Sequence, residues 1–219
     1  MSYLLRVVLP DRPGALGAVA TALGHVGADI LSVDIVERSP GYATDDLVLD
    51  LPSGKLADSL VSAALTVAGV KVESIRPYAG QIDPHRELEF LDSLAARPAD
   101  PGAVLTEGVH KIFRAGWALL LDVPEGGVAT VVAASGAAPQ LSRLATPWWP
   151  PHPARVLELD PSWAPSDWVN LGIELAVAPL GDGALLVGRP APSWLPGELM
   201  RLNHLAGIAG SVIAVTTGA

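Results

Sequence analysis

Cysteine is absent from the 219 residues, which excludes disulfides, thiolate metal sites and thiol catalysis. Charge is scarce: 17% of residues carry it, and the formal sum is −9 at pH 7. A phosphate backbone or an anionic membrane surface is therefore not an expected partner, and no basic stripe offsets the deficit. Long apolar runs are also missing. The stretch 202–215 is broken by Asn203, His204 and two glycines, so it reads as a buried amphipathic helix rather than a bilayer span. The opening MSYLLRVVLPDRPG has one basic residue inside a short apolar run, then an acid and two prolines, which is unlike a secretory signal. A cytoplasmic location is the expectation. Phosphate-binding loops, dinucleotide glycine fingerprints, Gly-x-Ser-x-Gly elbows and His-Glu-x-x-His pairs are all missing. No catalytic residue is assigned, and no enzyme activity or cofactor is expected.

Half of the chain is apolar, enough for a sizeable core, while 22 glycines and 20 prolines imply many turns. A folded chain of one large or two small domains follows.

In the first half, YLLRVVL (3–9) is a β-type run, and 14–25 places Leu16, Val19, Ala20 and Leu23 on one helical face. Gly24 and Gly27 bracket the helix end, and DILSVDIVE (29–37) alternates as a strand. SPGYATD (39–45) reads as a loop, followed by a strand at 46–51, a helix at 55–65 and a strand at 70–77. The order βαββαβ predicts four antiparallel strands with both helices on one face, the ferredoxin-like arrangement. The consecutive acids Asp45 and Asp46 point to opposite faces of their strand, so they do not share a proton.

Two stretches carry a resemblance: DRPGAL (11–16) and GADILSVDI (27–35). Their type and separation resemble the ACT domain, a small regulatory module of amino-acid metabolism, over about residues 3–78. The resemblance implies a ligand site made by Asp11, Arg12, Pro13, Gly14, Ala15 and Leu16 together with Ala28, Asp29 and Ile30. It also implies a homodimer formed edge to edge, with ligands between subunits.

The residues themselves fit that use. Pro13 fixes φ as the strand ends, Gly14 lets a backbone approach a small ligand, and the amides opening the helix attract a carboxylate. Asp11 and Asp29 are then candidates for the ligand's ammonium group, where many ACT domains carry Asn. The plainer alternative stays open: Asp11 caps the helix, Pro13 and Gly14 serve the turn, and Asp29 is an exposed turn residue.

A boundary is expected at 80–84, between a first domain at 1–79 and a second at 85–219. Helices are predicted over 85–98 and 103–115, with PADPG (98–102) as a break. Hairpins are predicted at 116–135, turning at Glu-Gly-Gly, and at 173–190, turning at Gly-Asp-Gly; a long helix closes the chain from 195 to 215. This order, and the ending APSWLPGELMRLNHLAGIAGSVIAV, resembles a GAF domain, a small-ligand sensor fold with an antiparallel sheet flanked by helices. Between the hairpins, 146–168 holds Trp148, Trp149, Trp163 and Trp168 among prolines. In a GAF-like fold they would wall a pocket; alternatively they pin a long loop to the core. No histidine has a partner at metal spacing, and no metal site is expected.

The expected class is α+β. The expected function is non-catalytic regulation: an amino acid or similar zwitterion bound by the first domain, and a second ligand or a client protein engaged by the second. An assembly module without ligand is the first alternative, and a small-molecule hydrolase or lyase acting in the tryptophan-lined region is the second.

Overall fold

A computed structural model describes residues 1–78, 86–96, 98–124 and 127–217. The chain divides into two compact units, Met1–Asp83 and Pro84–Ala219. The expected linker at 80–84 lies outside the described residues.

The first unit runs β1 (Ser2–Pro10), α1 (Ala15–His25), β2 (Asp29–Ser39), β3 (Tyr42–Asp50), α2 (Asp58–Leu65) and β4 (Lys71–Pro77). Its four strands form one antiparallel sheet in the order β2-β3-β1-β4. Alternation decides the faces. Leu5, Val7 and Leu9 of β1 join Leu47 and Leu49 of β3 in a core with Val19 and Leu23 of α1 and Leu60 and Ala64 of α2. The intervening residues take the other face, where Arg6 and Asp46, directly opposed, form a buried pair with nitrogen–oxygen distances of 2.7 and 2.9 Å.

One boundary departs from the sequence reading. Residues 42–45 belong to β3 instead of the expected loop, because β3 is an inner strand paired on both sides. Backbone hydrogen bonding to two neighbours holds the polar Thr44 and Asp45 in the ladder. The connection shrinks to Pro40 and Gly41, with Gly41 at φ +90°, the residue pair a type II turn requires.

The second unit runs α3 (Arg86–Ala95), α4 (Pro101–Ile112), β5 (Trp117–Asp122), β6 (Val128–Ala134), β7 (Arg143–Ala145), β8 (Arg155–Leu157), α5 (Ser166–Asn170), β9 (Ile173–Leu180), β10 (Gly183–Pro190) and α6 (Pro196–Thr217). Asp100 caps α4 by accepting the Ala103 N–H at 2.9 Å, with Pro101 in the first turn. The PADPG stretch thus opens this helix rather than only breaking the one before. Six antiparallel strands follow the order β7-β6-β5-β10-β9-β8. The second hairpin turns at Gly181 and Asp182 as expected; the Glu-Gly-Gly turn of the first falls partly outside the described residues.

Both faces of this sheet are covered. On one, Leu105 and Val109 of α4 and Leu202, Ala206 and Ala209 of α6 pack on Ala118, Ala178, Leu185 and Val187. On the other, the segment between the hairpins packs Trp148, Leu157 and Trp168 on Leu119, Val177 and Leu186. Arg189 of β10 ties the end of this unit together. It is fully buried and grips both carboxylate oxygens of Glu198 at 2.8 and 2.7 Å, donates to the Pro192 and Ser193 carbonyls, and lies 4.0 Å from the centre of the Trp194 ring. Glu198 also accepts the Leu195 N–H at 3.0 Å, closing the first turn of α6.

Candidate functional site

The loop from Asp11 to Gly14 carries the chain from the end of β1 into α1. Gly14 sits at φ +86°, and α1 begins there with no side-chain cap and no acid in its first turn. The amide end of an eleven-residue helix therefore has neither a side-chain cap nor an acid in its own first turn to meet its partial positive charge. Asp11 does not cap it. Its carboxylate faces Arg38 of β2 at 3.4 Å, and both side chains are well exposed. An exposed pair of this kind contributes little to stability.

The reason for glycine at position 14 is its backbone angle. Its φ of +86° is one that L side chains rarely adopt, while a Cβ there would meet no protein atom within 4 Å.

Asp45 lies close by. The register sets it opposite Val7 on one side and Ile35 on the other, so it shares the face that carries the helices, while Asp46 shares Arg6's face. The two acids do point apart. Asp45 is only 3% exposed, and its Oδ1 has no hydrogen-bond partner among the described residues. Burial pushes its carboxyl above the ordinary 3.8; Arg38 pulls it back in part, and Asp46 and Asp11 push further. Asp11, Arg38 and Asp45 thus gather at one end of the sheet, beside the uncapped start of α1. Sequence reasoning weighed Asp45 only as one of a pair with Asp46, at the end of an expected loop, and Arg38 fell between the expected strand 29–37 and that loop, in no motif.

Other expected site residues go elsewhere. Asp29 is exposed, opens β2 and pairs with Asp50, which opposes Ser2 at the far end of β1. Asp11 follows Pro10, so the length of a nine-residue strand, about 26 Å, separates the two acids within one chain. The strands β1 and β2 run parallel with β3 between them, which makes this separation unavoidable. Ala15 is a core residue, and Leu16, Ala28 and Ile30 pack their side chains against that core, so none of the four presents a side chain to a ligand. Arg12, Pro13 and Gly14 are exposed.

In the second unit, Trp148 and Trp168 are core residues, with Trp149 and Trp163 packed beside them. Trp168 lies 5.0 Å from Trp117 and Trp148 lies 6.2 Å from Trp163, centre to centre. These contacts match the anchoring use of the tryptophans. Trp148 Nε1 and Thr146 Oγ1 are buried without a partner among the described residues. Ser135 Oγ accepts the Ala118 N–H at 3.0 Å, a structural contact at the end of the hairpin. Among the described residues, no group of three His, Asp or Glu side chains could hold a metal ion, and no helix is long and apolar enough to cross a membrane.

The chain matches no protein-family model. It is similar to NAD-dependent malic enzyme 1 of Bacillus subtilis (strain 168), with 25% identity over 116 residues, which is 52% of this chain and 26% of that protein. The chain therefore spans about a quarter of that relative's length. Among solved structures it is similar to the phycoerythrobilin-bound GAF domain from a cyanobacterial phytochrome, at 14% identity and TM-score 0.47, covering 60% of this chain and 96% of that one. It is also similar to the GAF domain from Acinetobacter phosphoenolpyruvate-protein phosphotransferase, at 12% identity and TM-score 0.41, covering 63% and 98%. A third is a formyltetrahydrofolate deformylase from Pseudomonas putida KT2440, at 13% identity and TM-score 0.30, covering 42% and 36%.

Proposed function

We propose that this chain is a non-catalytic regulatory protein whose first unit, of ACT type, binds an amino acid or similar small zwitterion at the end of the sheet where β1 meets α1. One observation carries the reading: the loop into an uncapped helix start holds Asp11, paired with Arg38, and both act on the buried Asp45, whose Oδ1 has no hydrogen-bond partner among the described residues. A ligand with both signs of charge complements that arrangement, its carboxylate toward the helix amides and its ammonium toward an acid.

The exposed edge of β2 supports a homodimer. Leu31, Val33 and Ile35 are 40%, 38% and 58% exposed on an edge strand whose outer hydrogen-bonding groups face no neighbouring strand of the sheet. Two-fold pairing of β2 with its copy runs the strands antiparallel, and the start of one then lies by the end of the other. That would bring the partner subunit's Asp29 toward the Asp11 loop, the meeting that a single chain does not provide. The second unit, of GAF type by its strand order and closing helix, would serve as a sensor of another ligand or as the surface for a client protein.

Calorimetric titration of the full chain with the common L-amino acids tests the ligand, and light scattering after gel filtration tests the dimer. Heat from at least one amino acid, and the mass of two chains, are the expected results. Silence from the whole panel rejects the binding reading. The apolar β2 edge favours a second reading, assembly without ligand, in which Ile35→Lys dissociates the dimer while Asp29→Ala changes nothing.

A further inference from the structure

We propose that Asp45 is the receptor for the ligand's ammonium group in this site. The inference rests on the zwitterion reading above and names the residue that would select for a free amine. Ionised, Asp45 is a buried acceptor whose Oδ1 receives no hydrogen bond from any described residue, and leaving such a group unmatched is costly. An entering cation removes that cost. Asp11 is less suited, because it is already engaged by Arg38 and open to water, where a charge pair is weak.

The surroundings decide what kind of cation. Val7 and Ile35 flank Asp45 across the sheet, and Ala43 and Leu47 are its neighbours on the same face of β3. No third carboxylate or imidazole completes a metal site among the described residues. With apolar neighbours along the strands and Asp11 and Arg38 close by, an oxygen without a donor fits one monovalent organic cation, and –NH3⁺ supplies that donor. On the rim, Arg38 and the opening amides of α1 are placed to take the ligand's other end. Burial raises the Asp45 carboxyl above its ordinary value, and an ammonium brought against it would oppose that rise.

Titrations of the full chain with free L-amino acids and with their Nα-acetyl derivatives, repeated on Asp45→Asn, decide the matter. For the amino acids that bind, acetylation should weaken binding by about tenfold to a hundredfold, the worth of a charge-assisted contact. Asp45→Asn should lose the same factor for the free amino acid and nothing further for the acetylated one. The carbon-13 resonance of the Asp45 carboxyl in the unaltered protein should move on adding the free amino acid and stay in place with the acetylated form. This second readout stands even where the variant does not fold. Equal affinity of Asp45→Asn and the unaltered protein, or an Asp45 resonance indifferent to the free amino acid, overturns Asp45 as receptor while leaving the amino-acid site intact. Absence of binding by every amino acid overturns both.

Discussion

Replacing Asp45 by Asn should make the first unit more stable at neutral pH. The side chains are nearly the same size, so packing between Ala43 and Leu47 changes little; what disappears is a charge held out of water. Burial raises the folded-state pKa above 3.8, with Asp46 and Asp11 adding to the rise and only Arg38 opposing it. The sign follows directly. The folded chain binds this proton more tightly than the unfolded chain, so ionisation costs stability at pH above the folded value, and the cost vanishes below about 3.8. A buried charged group without a partner costs roughly 1–3 kcal/mol, which is the expected gain of Asp45→Asn at pH 7. The gain should shrink as the pH falls from the raised value toward the ordinary one.

The assay must see the first unit alone. All six tryptophans lie in the second unit, so indole fluorescence is blind to it; exchange of the β1 and β3 amides, followed in urea across pH, reports on it. A variant no more stable than the parent at neutral pH, or an advantage that does not change with pH, would refute the account of Asp45 as an unpaired buried acid.

Glu198→Ala strips Arg189 of its carboxylate partner in the buried end of the second unit and should cost about 3–5 kcal/mol, read by tryptophan fluorescence because Trp194 lies against the guanidinium. Two helical glycines should behave oppositely. A Cβ at Gly108 of α4 would run into the Phe90 ring, so Gly108→Ala should destabilise by about 1–3 kcal/mol in thermal melts. Gly207 of α6 has open space there, and Gly207→Ala should stabilise by about 0.5–1 kcal/mol. Thr146→Val, which removes a buried hydroxyl without a partner at nearly constant shape, should leave stability equal or higher by about 1 kcal/mol in urea unfolding; a marked loss would mean that hydroxyl is in use.

What the sequence determined by itself is local. Periods of two and of three to four placed βαββαβ in the first half, because face alternation and helical stripes are written in neighbouring residues. The DRPG turn and the two hairpins of the second half were legible for the same reason, since φ-permissive and φ-locked residues act where they stand. Tertiary structure alone decided how distant stretches meet. Polar residues 42–45 became strand because two neighbours hydrogen-bond that backbone, and no composition signals a neighbour. Asp11 and Asp29 looked like one site yet occupy opposite ends of parallel strands, a matter of direction and register. Asp45 and Asp46 are equally buried, and what sets Asp45 apart is that Asp46 faces Arg6 while the Asp45 Oδ1 has no hydrogen-bond partner among the described residues. The Arg189–Glu198 clasp joins a strand to a helix in the same way. Such properties arise from desolvation and proximity, which exist only once the chain has closed on itself.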